Sequence, residues 1–351
     1  MPTIAADPLV DFSTKLFEAA GLSNADSRRV AQSLVEANLR GHDSHGVIRV
    51  TQYVGFLREG KLVKDVELTV LKETPAILVA DANWGIGQVQ SYRILERLKT
   101  KARLVGIACG TMRHCGHIGR LGEYAEWAAS EKMALFATVN SHGSGQRVTP
   151  PGGAAGRIST NPICFGAPTP TDPIVLDFST SVCAEGKVRV AYQKGESIPE
   201  GWILNSAGKP TTNPADLYTD PPGSILPFGG PQAYKGFGLG FMMDLLAGGL
   251  SGGECSRHDR PMLGKGNAVV FVLWNVESFG GCESFLESAA GLMQFVRSTP
   301  KSTGVSEITL PGDPERLTRE RRLREGISIA PGTWTQLEKL ANELNVRVPA
   351  L

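Results

Sequence analysis

The stretch RGHDSHGVIRV, Arg40–Val50, lies where one predicted helix ends and the next begins. Upstream, Ser23 is a suitable N-cap for a helix that Gly41 can end as its C′ residue. Within the stretch, Ser44 can cap a following helix, which we predict to run to about Gly60. The chain therefore opens with closely spaced helices. The residues that join two of them can transfer protons and bind anions.

The rest of the chain alternates short β-branched runs with helical stretches, which indicates a mixed fold. Further helices are predicted at 8–20, 85–102, 119–131, 181–194, 235–250, 285–298, 314–325 and 334–345. Strands are predicted at 67–70, 76–80, 105–108, 134–139, 174–176 and 268–274. Residues 199–230 are rich in Pro, Gly, Asn and Thr and are predicted to form long surface loops. The expected fold class is α/β or α+β with a large sheet.

The helices at both chain ends predict one helical domain into which the sheet domain is inserted. We place the helical domain at residues 1–72 plus 285–351 and the sheet domain at residues 73–284. A chain of 351 residues is long enough for two such domains.

Composition excludes several classes of function. Lys plus Arg (36) nearly balances Asp plus Glu (35), and no long basic run occurs, so a nucleic-acid partner is not expected. No signal peptide is expected at the N-terminus, and the most apolar long window, residues 236–250, is too short and too polar for a membrane span. Six cysteines without a Cys-x-x-Cys pair predict reduced thiols in a cytoplasmic protein.

Four histidines form two pairs with His-x-x-His spacing, His42/His45 and His114/His117. On a helix such a pair shares one face and could ligate a metal, so a metal-dependent hydrolase is one candidate. Because His42 precedes the proposed cap Ser44, the first pair is not expected on one helix. Neither pair has the nearby carboxylate pattern of a metalloprotease, and we expect no metal.

A helix that starts at Ser44 places His45, Arg49 and Tyr53 on one stripe, away from the apolar stripe that contains Val47. A histidine can exchange a proton near neutral pH, and an arginine can hold a carboxylate through two hydrogen bonds. A tyrosine adds a hydroxyl and a flat apolar wall. The stripe is therefore either a site for a small carboxylic acid or a polar solvent-facing surface.

Two familiar nucleotide and nucleophile motifs lack the context that their functions require. The Gly-x-Ser-x-Gly match at 249–253 follows a predicted helix and not a strand, so it predicts no nucleophile elbow, and no Gly-x-Gly-x-x-Gly fingerprint follows a strand. The segment GHIGRLG, 116–122, offers a glycine-lined helix start suited to an anion. The segment LPGDPERL, 310–317, offers another, with Asp313 as the cap and Pro314 at the first helical position.

Seven segments, taken together, resemble the malate/L-lactate dehydrogenase family, which lacks a Rossmann fold. They occur in family order and cover most of the chain. The segments are DSHGVIR (43–49), HIGRLGEYA (117–125), PPGGAAGRISTNPICFGAP (150–168), VLDFSTSVCAEGKV (175–188), PEGWILNSAGKPTTNP (199–214), YKGFGLGFMMDLLAGGLSGG (234–253) and LPGDPE (310–315).

The resemblance implies roles for individual residues. The histidine of the Ser-His-Gly motif, His45, would be the acid/base for the substrate oxygen, and His117 matches a second family histidine. Lys187 is a third candidate catalytic residue. The residues implied for the substrate are Ser44, Arg49, Tyr53, Ser141 and Thr160, the last within a Thr-Asn-Pro motif.

The resemblance also implies NAD or NADP as the cofactor, a non-Rossmann NAD(P)-binding domain with a large mixed or antiparallel sheet, and a homodimer with active sites near the subunit interface. Ser179, Thr180 and Ser181 would offer small polar side chains to the dinucleotide, or else form a strand end and helix cap. Lys235 would supply a positive charge for a phosphate or carboxylate. The implied cofactor positions are Gly119, Leu121, Gly122, Leu176, Asp177, Phe178, Ser179, Thr180, Ser181, Val182, Tyr234, Lys235, Gly312, Asp313 and Pro314.

The chain departs from the family pattern at two places. The loop NSHGSGQRVTPPGG, 140–153, is about three residues longer than usual and borders the expected site. At position 187 some imine-reducing members carry an acidic residue, whereas this chain has Lys187, as hydroxy-acid members do. We therefore expect interconversion of a small 2-hydroxy acid and its 2-oxo acid, with NADPH-dependent reduction of a cyclic imine carboxylate as the alternative. Lys187 could equally be a surface lysine of a helix.

Overall fold

The structure is a computed structural model that describes residues 1–259 and 266–349. The helices are α1 (Ala6–Ala19), α2 (Asn24–Leu39), α3 (Arg49–Arg58), α4 (Gly87–Val105), α5 (Gly122–Ser130), α6 (Glu185–Lys194), α7 (Ala233–Asp244), α8 (Cys282–Arg297), α9 (Asp313–Glu325) and α10 (Pro331–Glu343). A π-helix, Leu245–Leu250, continues α7. Short 3-10 helices lie at Asp43–His45, Pro214–Tyr218, Gly230–Gln232 and Val276–Ser278.

Twelve strands among the described residues form three sheets, the largest a seven-stranded mixed sheet in the order β2-β3-β4-β11-β5-β6-β7. Strands β3 and β4 are parallel, and the other neighbours in this sheet are antiparallel. The strands are β1 (Thr3–Ile4), β2 (Thr69–Glu73), β3 (Ile77–Asp81), β4 (Ile107–Cys115), β5 (Met133–Asn140), β6 (Ile163–Ala167), β7 (Ile174–Phe178), β8 (Ile203–Leu204), β9 (Pro210–Thr211), β10 (Ser224–Ile225), β11 (Asn267–Asn275) and β12 (Ile327–Ser328). The expected mixed α/β architecture is confirmed.

The N-terminal helices follow the sequence prediction closely, with one correction. Ser23 caps α2 by accepting a hydrogen bond from Asp26 N at 3.3 Å, and Gly41 follows that helix with φ +84°. Ser44, however, caps no long helix, because Asp43–His45 is a separate 3-10 turn and α3 begins only at Arg49. The physical reason is Asn38 of α2, whose Oδ1 accepts the Val47 N–H at 2.8 Å and whose Nδ2 donates to Asp43 at 2.7 Å. These bonds hold the chain in a turn.

The core divides into three clusters. The first joins α1, α2, α3 and α10 with Ile327 and Ile329 near the C-terminus, so helices from both chain ends pack together. The second lies between the seven-stranded sheet and helices α4 and α5, where Gly110 and Gly166 allow close approach to Leu98 and Ala125. The third is small and includes Ile158, Val188 and Ile203.

The opposite face of the large sheet is only partly covered. Asn140, at the end of β5, donates to Asp244 of α7 at 2.9 Å, which places α7 on this face. On the same face, nearer the start of β5, Phe136 contacts Phe165 of β6 with ring centroids 5.0 Å apart, and Phe165 is exposed. Helix α8 has no buried residue. In the part of the chain that the structure describes, no helix is long and apolar enough to cross a membrane.

One prediction about the middle of the chain is wrong, and one strand there was not predicted. Residues 199–230 are not only surface loops, because β8, β9 and β10 form a three-stranded sheet whose Ile203 and Ile225 are fully buried. These strands have only two residues each, too short for an alternating pattern to show. Strand β6 was also missed, because ICFGA contains glycine and lacks β-branched residues after Ile163.

Candidate active site

Two histidines from distant parts of the chain meet at the centre of the candidate site. His45 ends the 3-10 turn after α2, and His117 lies in the loop between β4 and α5. Their rings stack with centroids 5.4 Å apart and an interplanar angle of 17°. Ser44 Oγ lies 3.1 Å from His45 Nδ1. The other ring nitrogen, Nε2, has no hydrogen-bond partner among the described residues.

The turn that carries His45 is held from two sides. Gly46 packs so tightly against Asn38 that a Cβ there would lie 2.2 Å from Asn38 Oδ1. Arg322 of α9 binds Asp43 in the same turn through two hydrogen bonds, one of 3.0 Å and one of 2.6 Å. Neither Asn38 nor Arg322 was singled out in the sequence, because each acts through the turn and not through a motif.

His117 is held by residues that belong to two helices. Its Nδ1 lies 2.6 Å from Tyr53 Oη of α3, and Gln88 Nε2 of α4 donates to the same Oη at 3.2 Å. Tyr53 and Gln88 are both buried. Tyr53 was expected on a helix stripe away from the apolar stripe. It lies in the core instead, where its hydroxyl contacts His117. Gln88 was not predicted at all.

The local electrostatics keep both histidines neutral. Burial, reinforced by the nearby Arg49 charge, lowers the pKa of His45 to about 3. The same two causes hold the pKa of His117 well below its ordinary value of 6.5. Burial also raises the pKa of Tyr53 to about 12, so its hydroxyl keeps its proton. At neutral pH the site therefore contains two uncharged imidazoles beside one guanidinium.

Arg49 is oriented by its own stretch of chain. Its Nε donates to the Ser44 carbonyl at 2.7 Å, and its Nη1 donates to Gln52 Oε1 at 2.8 Å. Nη2 has no hydrogen-bond partner among the described residues. Ser44 and Arg49 also line a cavity of about 430 Å³ between the helical core and α6. On α6, Gly186 lies so close to Ser44 that a Cβ would be 3.1 Å from it, while the next residue, Lys187, is exposed.

The loops predicted to line the substrate and cofactor sites join each other through Thr160 and Thr180. The Thr160 carbonyl accepts hydrogen bonds from Thr180 N and Thr180 Oγ1, both at 3.0 Å. Ser141 Oγ lies 3.1 Å from Ser159 Oγ on the same side. Ser181 Oγ donates to the Cys183 carbonyl at 2.7 Å.

The small hydroxyl side chains predicted as cofactor ligands make hydrogen bonds within the protein. Thr180 and Ser181 are buried, and their hydroxyls are already bonded to backbone carbonyls. Ser179 Oγ likewise donates to the Ser181 carbonyl at 3.1 Å. These residues fold the loop, and they do not cap α6 either, because that helix begins at Glu185. The exposed side chains next to them are those of Leu176, on β7, and Val182, in the loop.

The glycine-lined start of α5 is not a free anion site. Asp177 of β7 places Oδ2 2.7 Å from Gly122 N, so a carboxylate of the protein already occupies the helix N-terminus. Arg120, almost fully buried, binds Glu126 at 2.5 Å. The structure thus places Gly122 beside Asp177, so the anion at this helix start is intramolecular, whereas Gly119 packs against Gln88.

The start of α9 also differs in detail from the prediction. Gly312, with φ +94°, is the N-cap, and Asp313 is the first helical residue. The Asp313 carboxylate accepts the Leu310 N–H at 2.8 Å and is bound by Arg297 at 3.1 Å. Burial opposes its charge, but these two donors prevail and lower the pKa of Asp313. Pro314 is therefore the second helical residue, one position later than predicted.

Residues predicted for the cofactor lie in two places near β7. Asp177, Gly312 and Asp313 line a cavity of about 370 Å³ that also contains Arg120 and Arg297. Tyr234 and Lys235 lie at the start of α7, beyond the Phe228 loop that contacts Phe178 with ring centroids 5.6 Å apart. Both are exposed, and the Lys235 ammonium lies 5.9 Å from the Tyr234 ring centroid.

The two His-x-x-His pairs do not form metal sites. His42 Nε2 lies 3.5 Å from Glu315, whereas His45 faces His117. His114 Nδ1 lies 2.9 Å from Asp81, away from His117. Among residues 1–259 and 266–349, no group of three metal-binding side chains is assembled. The geometry therefore gives no support to the metal-dependent hydrolase.

Comparison with known proteins places the chain in a family. The family model described as malate/L-lactate dehydrogenase matches residues 4–338. The chain belongs to this family. It is 34% identical to a malate dehydrogenase of Pyrococcus abyssi, covering 98% of this chain and 95% of that protein. It is also 34% identical to an L-lactate dehydrogenase of Cupriavidus necator, covering 91% of each.

A solved structure of this family has the same fold. The malate dehydrogenase of Pyrococcus horikoshii superimposes with a TM-score of 0.89 at 32% identity, covering 99% of this chain and 96% of that one. The resemblance noted in the seven sequence segments is therefore confirmed.

Proposed function

We propose that this malate/L-lactate dehydrogenase family member is an NAD(P)-dependent oxidoreductase that interconverts a small 2-hydroxy acid and its 2-oxo acid. The observation that carries the proposal is the stacked, neutral pair His45 and His117 beside the oriented guanidinium of Arg49. A proton-transfer group next to a carboxylate-binding group suits a substrate whose reacting oxygen lies beside its carboxylate.

His45 is the proposed acid/base, acting through Nε2. Because Nδ1 faces Ser44, Nε2 is the nitrogen that can take the substrate hydroxyl proton and return it to the carbonyl oxygen. The low pKa of His45 keeps its imidazole unprotonated in the free enzyme at neutral pH, so it can accept a proton. For reduction, the imidazole must gain a proton, and a bound carboxylate that neutralises Arg49 removes one cause of the low pKa.

Arg49 is the proposed carboxylate ligand. Its Nε and Nη1 are fixed by Ser44 and Gln52, which orients the guanidinium plane before substrate binds. Nη2 is then available for the carboxylate. Ser141 and Thr160 are proposed to border the substrate from the opposite loops, and Lys187 is proposed to reach the site from α6.

The residues around β7 fit a nicotinamide dinucleotide, which supplies the hydride when bound. Lys235 offers an exposed ammonium that makes no salt bridge with any described residue and could bind a phosphate, and Tyr234, Leu176 and Val182 offer exposed apolar surface. On the other side of β7, the cavity at Asp177 and Gly312 contains Arg120, whose buried Nε has no hydrogen-bond partner among the described residues. An unsatisfied buried donor is unfavourable, and a ligand that accepts a hydrogen bond would satisfy it.

The alternative substrate class is a cyclic imine carboxylate. Such a substrate would use the same Arg49 for its carboxylate. Lys187 favours the oxo acid, because a second positive charge beside the site would disfavour a protonated imine. Parallel assays with a 2-oxo acid and a cyclic imine carboxylate distinguish the two.

We also propose that the chain functions as a homodimer. The partly covered face of the large sheet, together with α7, the π-helix, α8 and the turn before α8, exposes large apolar side chains, among them the following eight. They are Phe165, Leu176, Phe241, Leu245, Leu250, Phe279, Leu292 and Phe295. With roughly half of each surface exposed, they present on the order of 800 Å², which is what one partner of a stable interface covers. We call this surface the apolar face.

We also propose a cytoplasmic location and two domains. The helical domain comprises residues 1–72 plus 285–351, and the sheet domain comprises residues 73–284. All six cysteines are free, and Cys115, Cys164 and Cys183 are buried, which is compatible with a reducing compartment. The first core cluster draws its residues from both chain ends, which supports the inserted sheet domain.

Fluorescence titration of the purified chain with NADH and NADPH, together with metal analysis, tests the enzyme class. Binding of at least one reduced dinucleotide without stoichiometric metal is expected. Stoichiometric zinc with no dinucleotide binding would reject the proposal and revive the hydrolase. The ratio of the two affinities also decides between NAD and NADP.

A further inference from the structure

A short chain of hydrogen bonds leads from the interior to His117. Gln88 Nε2 donates to Tyr53 Oη at 3.2 Å, and Tyr53 Oη lies 2.6 Å from His117 Nδ1. Gln88 is fully buried and Tyr53 is 2% exposed, so water does not compete for these groups. His117 itself is half-buried, and its Nε2 has no partner among the described residues.

The direction of this chain is determined by the number of protons in it. Tyr53 has one hydroxyl proton, and it accepts from Gln88, so that proton is available for a second partner. Two acceptors are in reach, His117 Nδ1 at 2.6 Å and the His117 carbonyl at 3.4 Å. The shorter contact is the stronger hydrogen bond. Donation by Tyr53 along the shorter contact leaves Nδ1 without a proton.

A neutral imidazole has one N–H, so the proton excluded from Nδ1 lies on Nε2. We propose that Gln88 and Tyr53 are positioning residues that fix His117 in this tautomer and so present its Nε2–H to the substrate oxygen. The inference rests on the proposed function for the identity of that oxygen. His117 would thus donate a hydrogen bond while His45 transfers the proton.

The backbone around the chain leaves it little freedom. Gly119, with φ +77°, passes so close that a Cβ would lie 3.0 Å from Gln88 Nε2. Gly87, which precedes Gln88, packs against the His117 carbonyl, where a Cβ would lie 2.3 Å from the oxygen. Burial also keeps His117 neutral, because it lowers the pKa of the imidazole. The tautomer is therefore imposed by packed, buried groups.

The test is a long-range ¹H–¹⁵N correlation spectrum of the full chain with ¹⁵N-labelled histidine, assigned with a His117→Gln variant. The expected wild-type spectrum shows His117 with Nε2 protonated and Nδ1 a hydrogen-bonded acceptor. Gln88→Met removes the donor that orients Tyr53, and Tyr53→Phe removes the hydroxyl, so both should add the other tautomer. Tyr92→Phe, which removes a buried hydroxyl bonded to Glu123, is the matched control and should leave the signal unchanged.

Kinetics give the second readout. Tyr53→Phe should lower kcat about tenfold, the effect of one lost hydrogen bond, with little change in NADH affinity. A wild-type His117 protonated at Nδ1 would overturn the inference, as would unchanged spectra and kcat in both variants. The spectrum needs neither cofactor nor substrate. A chain with the expected tautomer and no turnover would therefore contradict the proposed function and leave this inference standing.

Discussion

Arg49 reaches back to the Ser44 carbonyl and sideways to Gln52, so its orientation is set before any substrate arrives. In the sequence, its spacing of four from His45 suggested neighbours on one helix. The structure brings the two together differently, because His45 lies in a 3-10 turn and Arg49 is the first residue of α3. The pairing was predictable from proximity along the chain, whereas its geometry was not.

Arg49→Lys tests whether this guanidinium binds the carboxylate. Lysine keeps the charge but loses the planar set of donors, so kcat/KM should fall strongly for 2-oxo acids. The loss should be much smaller for an amide or ester analogue without the carboxylate charge. Steady-state kinetics on such a matched pair provide the measurement. An equal loss on both substrates would show that Arg49 does not bind the carboxylate.

His45 and His117 could be identified in the sequence because histidines within recognisable motifs stand out. Gln88 and Asn38 could not, since a lone amide inside an amphipathic helix carries no sequence signal. Their roles depend on tertiary contacts, such as Gln88 meeting a tyrosine 35 residues away. The internal bonding of Thr180 and Ser181 escaped notice for the same reason, since sequence does not show which hydroxyls a loop uses for itself.

His142 offers a test of buried electrostatics outside the site. Burial lowers its pKa to about 4, despite a 2.7 Å hydrogen bond from its Nδ1 to the Gly253 carbonyl. The His142 imidazole takes up a proton near pH 6.5 in the unfolded chain but only near pH 4 in the folded one. Its full contribution to the free energy of unfolding should therefore be present above pH 6.5. As the pH is lowered from 6.5 to 4, this group should reduce the free energy of unfolding by about 1.4 kcal/mol per pH unit.

His142→Asn should remove that part of the pH dependence. Asparagine tolerates the φ of +48° at this position and does not titrate. Urea unfolding of both proteins at several pH values between 4.5 and 7.5 measures the difference. Parallel stability curves for the two proteins would show that His142 takes up its proton without cost in the folded state.

Among the elements, helix α2 was predictable because its Ser23 cap and its apolar periodicity agree. Helix α9 was predictable from the Pro314 near its start and not from an apolar pattern. Strand β6 and the small sheet of β8 to β10 were not, because their runs are too short or too glycine-rich for a period to show. The π-helix after α7 also has no sequence signal beyond its glycines.

The start of α4 should be intolerant of a side chain. In Gly87→Ala the new Cβ would lie 2.3 Å from the His117 carbonyl oxygen and 2.4 Å from that of Gly116, both backbone atoms. Either α4 or the His117 loop must move, so we expect a loss of stability of about 1–3 kcal/mol and a lower kcat. Chemical denaturation and steady-state kinetics measure the two effects.

Gly55→Ala is the matched control, because a Cβ there meets nothing within 4 Å on α3. Alanine should raise stability by about 0.5–1 kcal/mol, since it restricts the unfolded chain and favours helix. If Gly87→Ala behaves like Gly55→Ala, the close packing of α4 against the His117 loop is not real.

For the whole molecule, the apolar face predicts the oligomeric state. Phe295 on α8 is 77% exposed, an unfavourable position for phenylalanine in an isolated chain. Phe295→Glu combined with Leu292→Glu should convert a dimer to a monomer. Leu104→Glu, at an exposed leucine on α4 outside the apolar face, should not. Light scattering after gel filtration decides, and a monomeric wild-type chain would contradict the proposed dimer.

Oxidation of NADH and NADPH by the purified chain in the presence of 2-oxo acids tests the central claim most directly. We predict turnover with at least one small 2-oxo acid, such as oxaloacetate or pyruvate. His45→Gln should bind the reduced dinucleotide as the wild type does but lose about 10²- to 10⁴-fold in kcat, the usual effect of removing an acid/base group. Dinucleotide binding without turnover of any 2-oxo acid, or a His45→Gln variant with wild-type kcat, would contradict the proposed mechanism.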